Sequence, residues 1–123
     1  EEMDADLFIG QMKEDAKRAL DAGIKKERII LDPGVGFAKT QEQNLMTIAN
    51  LDRLKALGYP VLLGTSRKSV IGYVLDVPTD KRLVGTLATS AVAVQTGCMF
   101  VRVHDVKENV ESIQMLERIR ESR

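Results

Sequence analysis

Three short apolar runs, spaced by roughly the length of a βαβ unit, constrain this chain more than any other feature. They are Ile29-Ile30-Leu31, Val61-Leu62-Leu63 and Met99 to Val103. Each is too short for a core helix, and Ile29-Ile30-Leu31 lacks alternation, the pattern of a strand buried on both faces. Helical periodicity fills the intervals. Phe8, Met12, Ala16, Ala19 and Leu20 share one face of a helix over residues 4–22, and Gly23 supplies a left-handed stop with Ile24 behind it. Thr40 and Gln43 form a capping box, and Leu45, Ile48, Leu51, Leu54 and Leu57 carry one helix to Gly58. A short helix over 65–75, capped by Thr65 or Ser66, is followed by one rich in small residues from Asp80 to Gln95. The last helix carries Val106, Val110, Ile113, Leu116 and Ile119, with Asp105 and Glu108 as its capping pair.

The predicted order is α-β-α-β-α-α-β-α. A helix in each crossover makes the strands parallel. Three parallel strands have two unpaired edges, which are costly to expose. The chain also begins with a helix rather than a strand, and with Glu1 rather than Met. The expected fold is therefore α/β, the C-terminal portion of a (β/α)8 barrel with about three parallel strands. Residues 1–123 would supply the last three βα units and the preceding helix.

Composition excludes several function classes. Eighteen Lys plus Arg balance eighteen Asp plus Glu, a poor charge pattern for a nucleic-acid or polybasic membrane binder. No apolar run approaches the ~20 residues of a membrane helix, and no signal peptide is evident. The single Cys98 allows neither a disulfide framework nor a cysteine zinc site, and fits a cytoplasmic setting.

In parallel α/β folds the ligand lies at the carboxyl ends of the strands. Three clusters fall there: Asp32-Pro33-Gly34-Val35-Gly36-Phe37, Gly64-Thr65-Ser66-Arg67-Lys68-Ser69, and Arg102-Val103-His104-Asp105. Asp32 is either a turn carboxylate or an acceptor for the N–H edge of a flat heterocycle. Phe37 is a loop anchor or an aromatic wall. Arg67 and Lys68 stand at a helix N-terminus, where the dipole disfavours cations. They are either solvated or matched by a bound anion. Arg102 and His104 are two apart on a strand and share a face, an arrangement suited to diphosphate. A lone His is otherwise a structural or surface residue, and no metal-ligand spacing is recognisable.

These segments, with Ile71-Gly72, Arg82 and Gly85-Thr86, resemble dihydropteroate synthase in order and spacing, over nearly the whole chain. One departure is Ala38, where relatives usually carry Gly. The resemblance implies a (β/α)8 homodimer that condenses p-aminobenzoate with 6-hydroxymethyl-7,8-dihydropterin diphosphate. Asp32, Gly64 and Lys68 would bind pterin. Phe37, Arg67 and Ser69 would bind p-aminobenzoate, the target site of sulfonamides. Arg102 and His104 would bind diphosphate. Lys68 and Arg102 would be catalytic, and Mg2+ would find its ligands outside this chain. The chain alone would be inactive, with the helices 80–95 and 106–119 as association surfaces. Two rivals remain: a methyltetrahydrofolate-type methyltransferase, which shares the role of Asp32, and a non-catalytic half-barrel assembly module.

Overall fold

The computed structural model describes residues 4–37 and 39–123. The departure noted at Ala38 lies outside them. Helix α1 (Ala5–Asp21) is capped by Asp4, whose carboxylate accepts the Leu7 N–H at 2.8 Å. It ends in the expected glycine stop. Gly23 has φ +95°, its N–H reaches the Leu20 carbonyl, and the Ile24 N–H reaches Ala19. That pair of bonds is a Schellman closure.

The central strand, β1 (Leu62–Leu63), pairs in parallel with β2 (Phe100–Val101), in the register Leu62 to Phe100 and Leu63 to Val101. On its other side it meets a single parallel bridge, Leu31 to Val61. The three expected strands are therefore present in parallel order, but two are shorter and the first is one bridge long. Residues 26–28 form a 3-10 turn instead of entering the strand. After Leu31, Pro33 removes a donor and Asp32 bonds locally, so no further ladder forms. Ile30 is 51% exposed while Ile29 and Leu31 are buried. The first run is thus buried on one face and half-exposed on the other, not buried on both faces as expected.

The capping box forms as read: Gln43 N–H donates to Thr40 Oγ1 at 3.1 Å, and Thr40 N–H to Gln43 Oε1 at 2.8 Å. The single helix expected to Gly58 is broken into α2 (Gln41–Ala49) and α3 (Leu51–Lys55). Asn50 causes the break. Its side-chain amide donates to the Met46 carbonyl at 2.8 Å, an alternative to helical bonding at that position. Leu51 and Leu54, just beyond it, are fully buried with Val61 and Leu63. Truncating either leucine to Ala would cost ~2–5 kcal/mol.

Helix α4 (Ser69–Leu75) starts four residues later than expected, and neither Thr65 nor Ser66 caps it. Their hydroxyls are taken by Thr89 and His104. A 3-10 turn at Thr79–Lys81 precedes α5 (Leu83–Thr96), so the small-residue helix also begins late. Gly85 lets α5 approach α4: a Cβ there would collide with Ile71 Cγ2. Helix α6 (Val106–Arg120) packs on α5 through a buried bond from Ser90 Oγ to Asn109 Oδ1, 2.7 Å. Asp105 precedes α6 but does not cap it with its side chain, because the carboxylate is paired with Arg67. Of the expected apolar face of α6, Val106, Val110 and Ile119 are exposed.

Candidate functional site at the strand ends

Parallel pairing in this register puts Asp32, Gly64 and Arg102 at the same rim of the sheet, each immediately after a paired strand residue. The Arg102 N–H extends the ladder to the Leu63 carbonyl at 2.9 Å. The Arg102 guanidinium lies over Gly64: a Cβ at that glycine would come within 2.9 Å of Nη2. Any larger residue at position 64 would therefore push the guanidinium aside.

Asp32 makes the local turn: its Oδ1 accepts the Gly34 N–H at 2.8 Å. Among the described residues no hydrogen bond reaches Oδ2, and the residue is exposed. The turn therefore orients the carboxylate without consuming it. Gly34 and Gly36 have φ +69° and +92°, and the Phe37 N–H closes the turn on the Gly34 carbonyl at 3.0 Å. Phe37 is 66% exposed, with its ring beneath the Lys68 ammonium, 5.0 Å from Nζ to centroid.

Lys68 Nζ also donates to the Val35 carbonyl at 2.6 Å. Burial, then the positive charge of Arg102, pushes the Lys68 ammonium below its ordinary pKa. Asp32 opposes that shift and Lys39 adds to it. The sequence segments around Asp32, Lys68 and Arg102 thus share one electrostatic environment. An ammonium has three donors, and one on Val35 leaves two.

Arg67 has φ +57°, a left-handed conformation uncommon for a residue with a side chain. Two contacts from the start of α5 hold its backbone. Its N–H donates to Thr86 Oγ1 at 3.1 Å, and its carbonyl accepts from Arg82 Nη1 at 2.9 Å. Gly72 leaves the space for that arginine, since a Cβ there would strike Nη2. The Arg67 side chain then pairs with Asp105 in a two-pronged contact, 2.8 Å to Oδ1 and 3.3 Å to Oδ2. Hydrogen bonding to Arg67 holds the Asp105 carboxyl below its usual range and raises the guanidinium pKa in return.

His104 is exposed, as is Arg102. Its Nδ1 lies 2.8 Å from Ser66 Oγ, which also accepts the His104 N–H at 3.0 Å. A hydroxyl that accepts one bond can donate to Nδ1, leaving Nε2–H to face outward. Ser69, the first residue of α4, accepts from Gln41 Nε2 at 3.0 Å. Cys98 lies ahead of β2, half-buried beside Thr96, and burial pushes its thiol pKa up. It is not part of the rim.

The eight sequence-derived site residues therefore fall along one rim. Their supports Ser66, Arg82, Thr86 and Asp105 all lie in segments singled out from the sequence, but Ser66 and Asp105 were expected to be helix caps, and Arg82 and Thr86 had no expected role. The signal available for Asp105 was its carboxylate one residue after His104. Arg82 and Thr86 act from another helix, so their contacts to the Arg67 backbone do not follow from spacing along the chain.

The geometry defines a part of a parallel (β/α)8 barrel with its polar groups gathered at the strand ends. A family model for pterin binding enzymes matches residues 4–104, and the chain belongs to that family. Dihydropteroate synthase of Clostridium beijerinckii is 53% identical over 111 residues, covering 89% of this chain and 41% of that protein. The crystal structure of the Clostridium difficile dihydropteroate synthase in the presence of pteroic acid superposes with a TM-score of 0.84 at 49% identity, over 91% of this chain and 44% of that one. The Thermus thermophilus enzyme in complex with 4-aminobenzoate gives 0.83 at 39% identity, over 90% and 45%. The chain thus spans about two fifths of the relatives it matches.

Proposed function

We propose that the full-length protein is a dihydropteroate synthase, with residues 1–123 forming the last three βα units of its barrel and the helix before them. The observation that carries this reading is the shared rim of Asp32, Lys68, Arg102 and His104, in a chain 53% identical to a dihydropteroate synthase over this region. Substrate identity follows from the same likeness, supported by the relative solved with 4-aminobenzoate.

In this reading Asp32 accepts the 2-amino and ring N–H groups of the pterin, a two-point match for a carboxylate. Lys68 donates to the pterin carbonyl side, and Gly64 lets the Arg102 guanidinium lie close against the strand end at the edge of the pterin site. The bond between the pterin methylene carbon and its diphosphate oxygen breaks first, and its electron pair leaves with the diphosphate. Arg102 and His104 Nε2–H stabilise that departing charge, an electrostatic contribution from groups already in place. The arylamine nitrogen of p-aminobenzoate then bonds to the methylene carbon and loses a proton. Phe37 and Arg67 flank the arylamine, and Ser69 donates to its carboxylate. No enzyme nucleophile is required.

Among the described residues no group of three or more His, Cys, Asp or Glu is arranged to hold a metal. Mg2+, part of the family reading, is therefore assigned no ligand and no step within them. The reading also includes a cytoplasmic homodimer meeting through α5 and α6, whose outer faces carry Val84, Val110 and Ile119. The decisive assay is diphosphate release by the full-length protein. It should require both p-aminobenzoate and the pterin diphosphate. Methyl transfer from a methylated folate, without diphosphate release, would favour the methyltransferase rival, which also uses an Asp32-type pterin contact. A protein that binds neither substrate would leave the assembly-module rival.

A further inference from the structure

A chain of amide hydrogen bonds joins two parts of the rim that are far apart in sequence. Gly36 N–H donates to Asn44 Oδ1 at 2.9 Å, Asn44 Nδ2 to Gln41 Oε1 at 3.2 Å, and Gln41 Nε2 to Ser69 Oγ at 3.0 Å. Its polarity follows from its first member. A backbone N–H can only donate, so Asn44 must present oxygen to Gly36 and its NH2 to Gln41. Gln41 must then present oxygen to Asn44 and its NH2 to Ser69. Ser69 therefore receives a proton on its lone pair, and its own O–H remains available to donate elsewhere. Asn44 is 1% exposed, and a buried amide with both ends bonded has little freedom to flip.

We propose that Gln41 and Asn44 are positioning residues that fix Ser69 as a hydrogen-bond donor, and so select an arylamine bearing an anionic acceptor. The relay starts at the turn that carries Phe37, so the loop conformation and the donor state of Ser69 are coupled. This rests on the reading of Ser69 as the partner of the p-aminobenzoate carboxylate.

The test compares p-aminobenzoate with its uncharged amide, 4-aminobenzamide, in the full-length enzyme. Gln41→Glu offers only acceptors on both sides, which turns the Ser69 O–H away from the substrate. Gln41→Met removes the bonds at similar volume and adds no charge. Both variants should raise KM for p-aminobenzoate with kcat and KM for pterin diphosphate little changed, by several-fold for Gln41→Met and ~10-fold or more for Gln41→Glu. Preference for the acid over the amide should shrink in the same order. Gln41 is only partly buried, and thermal melts would establish that both variants fold. A Ser69→Ala loss of that preference, with Gln41 variants like wild type, overturns the relay alone. An unchanged preference in Ser69→Ala overturns both the relay and the carboxylate role of Ser69.

Discussion

Arg67 and Asp105 join the loops after two neighbouring strands by a paired contact of 2.8 and 3.3 Å. Arg67 stands just ahead of α4 and Asp105 just ahead of α6, so one ion pair ties the proposed p-aminobenzoate side of the rim to the diphosphate side. Asp105 titrates lower in the folded chain than its ordinary value of 3.8. A depressed carboxyl adds stability above the unfolded pKa and loses it as pH falls through the folded one. Wild type should therefore exceed Asp105→Asn in Tm at pH 7, and the two should converge from about pH 4 downward. A constant gap across that range would remove Asp105 as the source.

The left-handed backbone at Arg67 sets function against stability. Glycine adopts that conformation freely. Arg67→Gly should thus keep its Tm within a few degrees, although it loses the pair with Asp105. Its KM for p-aminobenzoate should rise several-fold. A large drop in Tm with unchanged KM would show that Arg67 serves the fold.

Arg102 offers a planar fork at the strand end, and Lys offers a single point charge. Arg102→Lys should lower kcat/KM by ~10–100-fold. Its affinity for pterin diphosphate should fall more than its affinity for the pterin alcohol. Equal losses for both would argue against contact with diphosphate.

The 123-residue chain by itself should be catalytically silent and should self-associate. Ile30 and Phe100 flank the short sheet with exposed apolar side chains, and Val106, Val110 and Ile119 line α6. Partial strand edges of this kind favour pairing between copies. Light scattering should report more than one chain per particle. A monodisperse monomer that turns over substrate would contradict both statements.

The elements that sequence made legible were those with local causes. The Thr40–Gln43 box and the Gly23 stop each depend on a few neighbouring residues, and both formed. Boundaries set by distant partners were not legible. Helix α4 starts late because Thr65 and Ser66 spend their hydroxyls on Thr89 and His104. Asp105 leaves its cap for an arginine 38 residues away. One boundary with a local cause was also not legible: helix α3 separates from α2 because the Asn50 side chain competes for the Met46 carbonyl four residues back. For the rim, strand ends alone indicated Asp32, Lys68 and Arg102. The sidedness of Arg67, clamped by Arg82 and Thr86, needed the packed helix α5.

Lys68 is where the contacts of the rim converge: it bonds the Val35 carbonyl, covers the Phe37 ring, and feels both Arg102 and Asp32. The most direct measurement is therefore the steady-state condensation of p-aminobenzoate with pterin diphosphate by full-length wild type and Lys68→Ala, with product identified by mass. Wild type should form dihydropteroate and release one diphosphate per product. Lys68→Ala should lose ~10²–10³-fold in kcat/KM with an unchanged melting profile. Wild-type turnover preserved in Lys68→Ala, or a wild type that forms no dihydropteroate, would contradict the account.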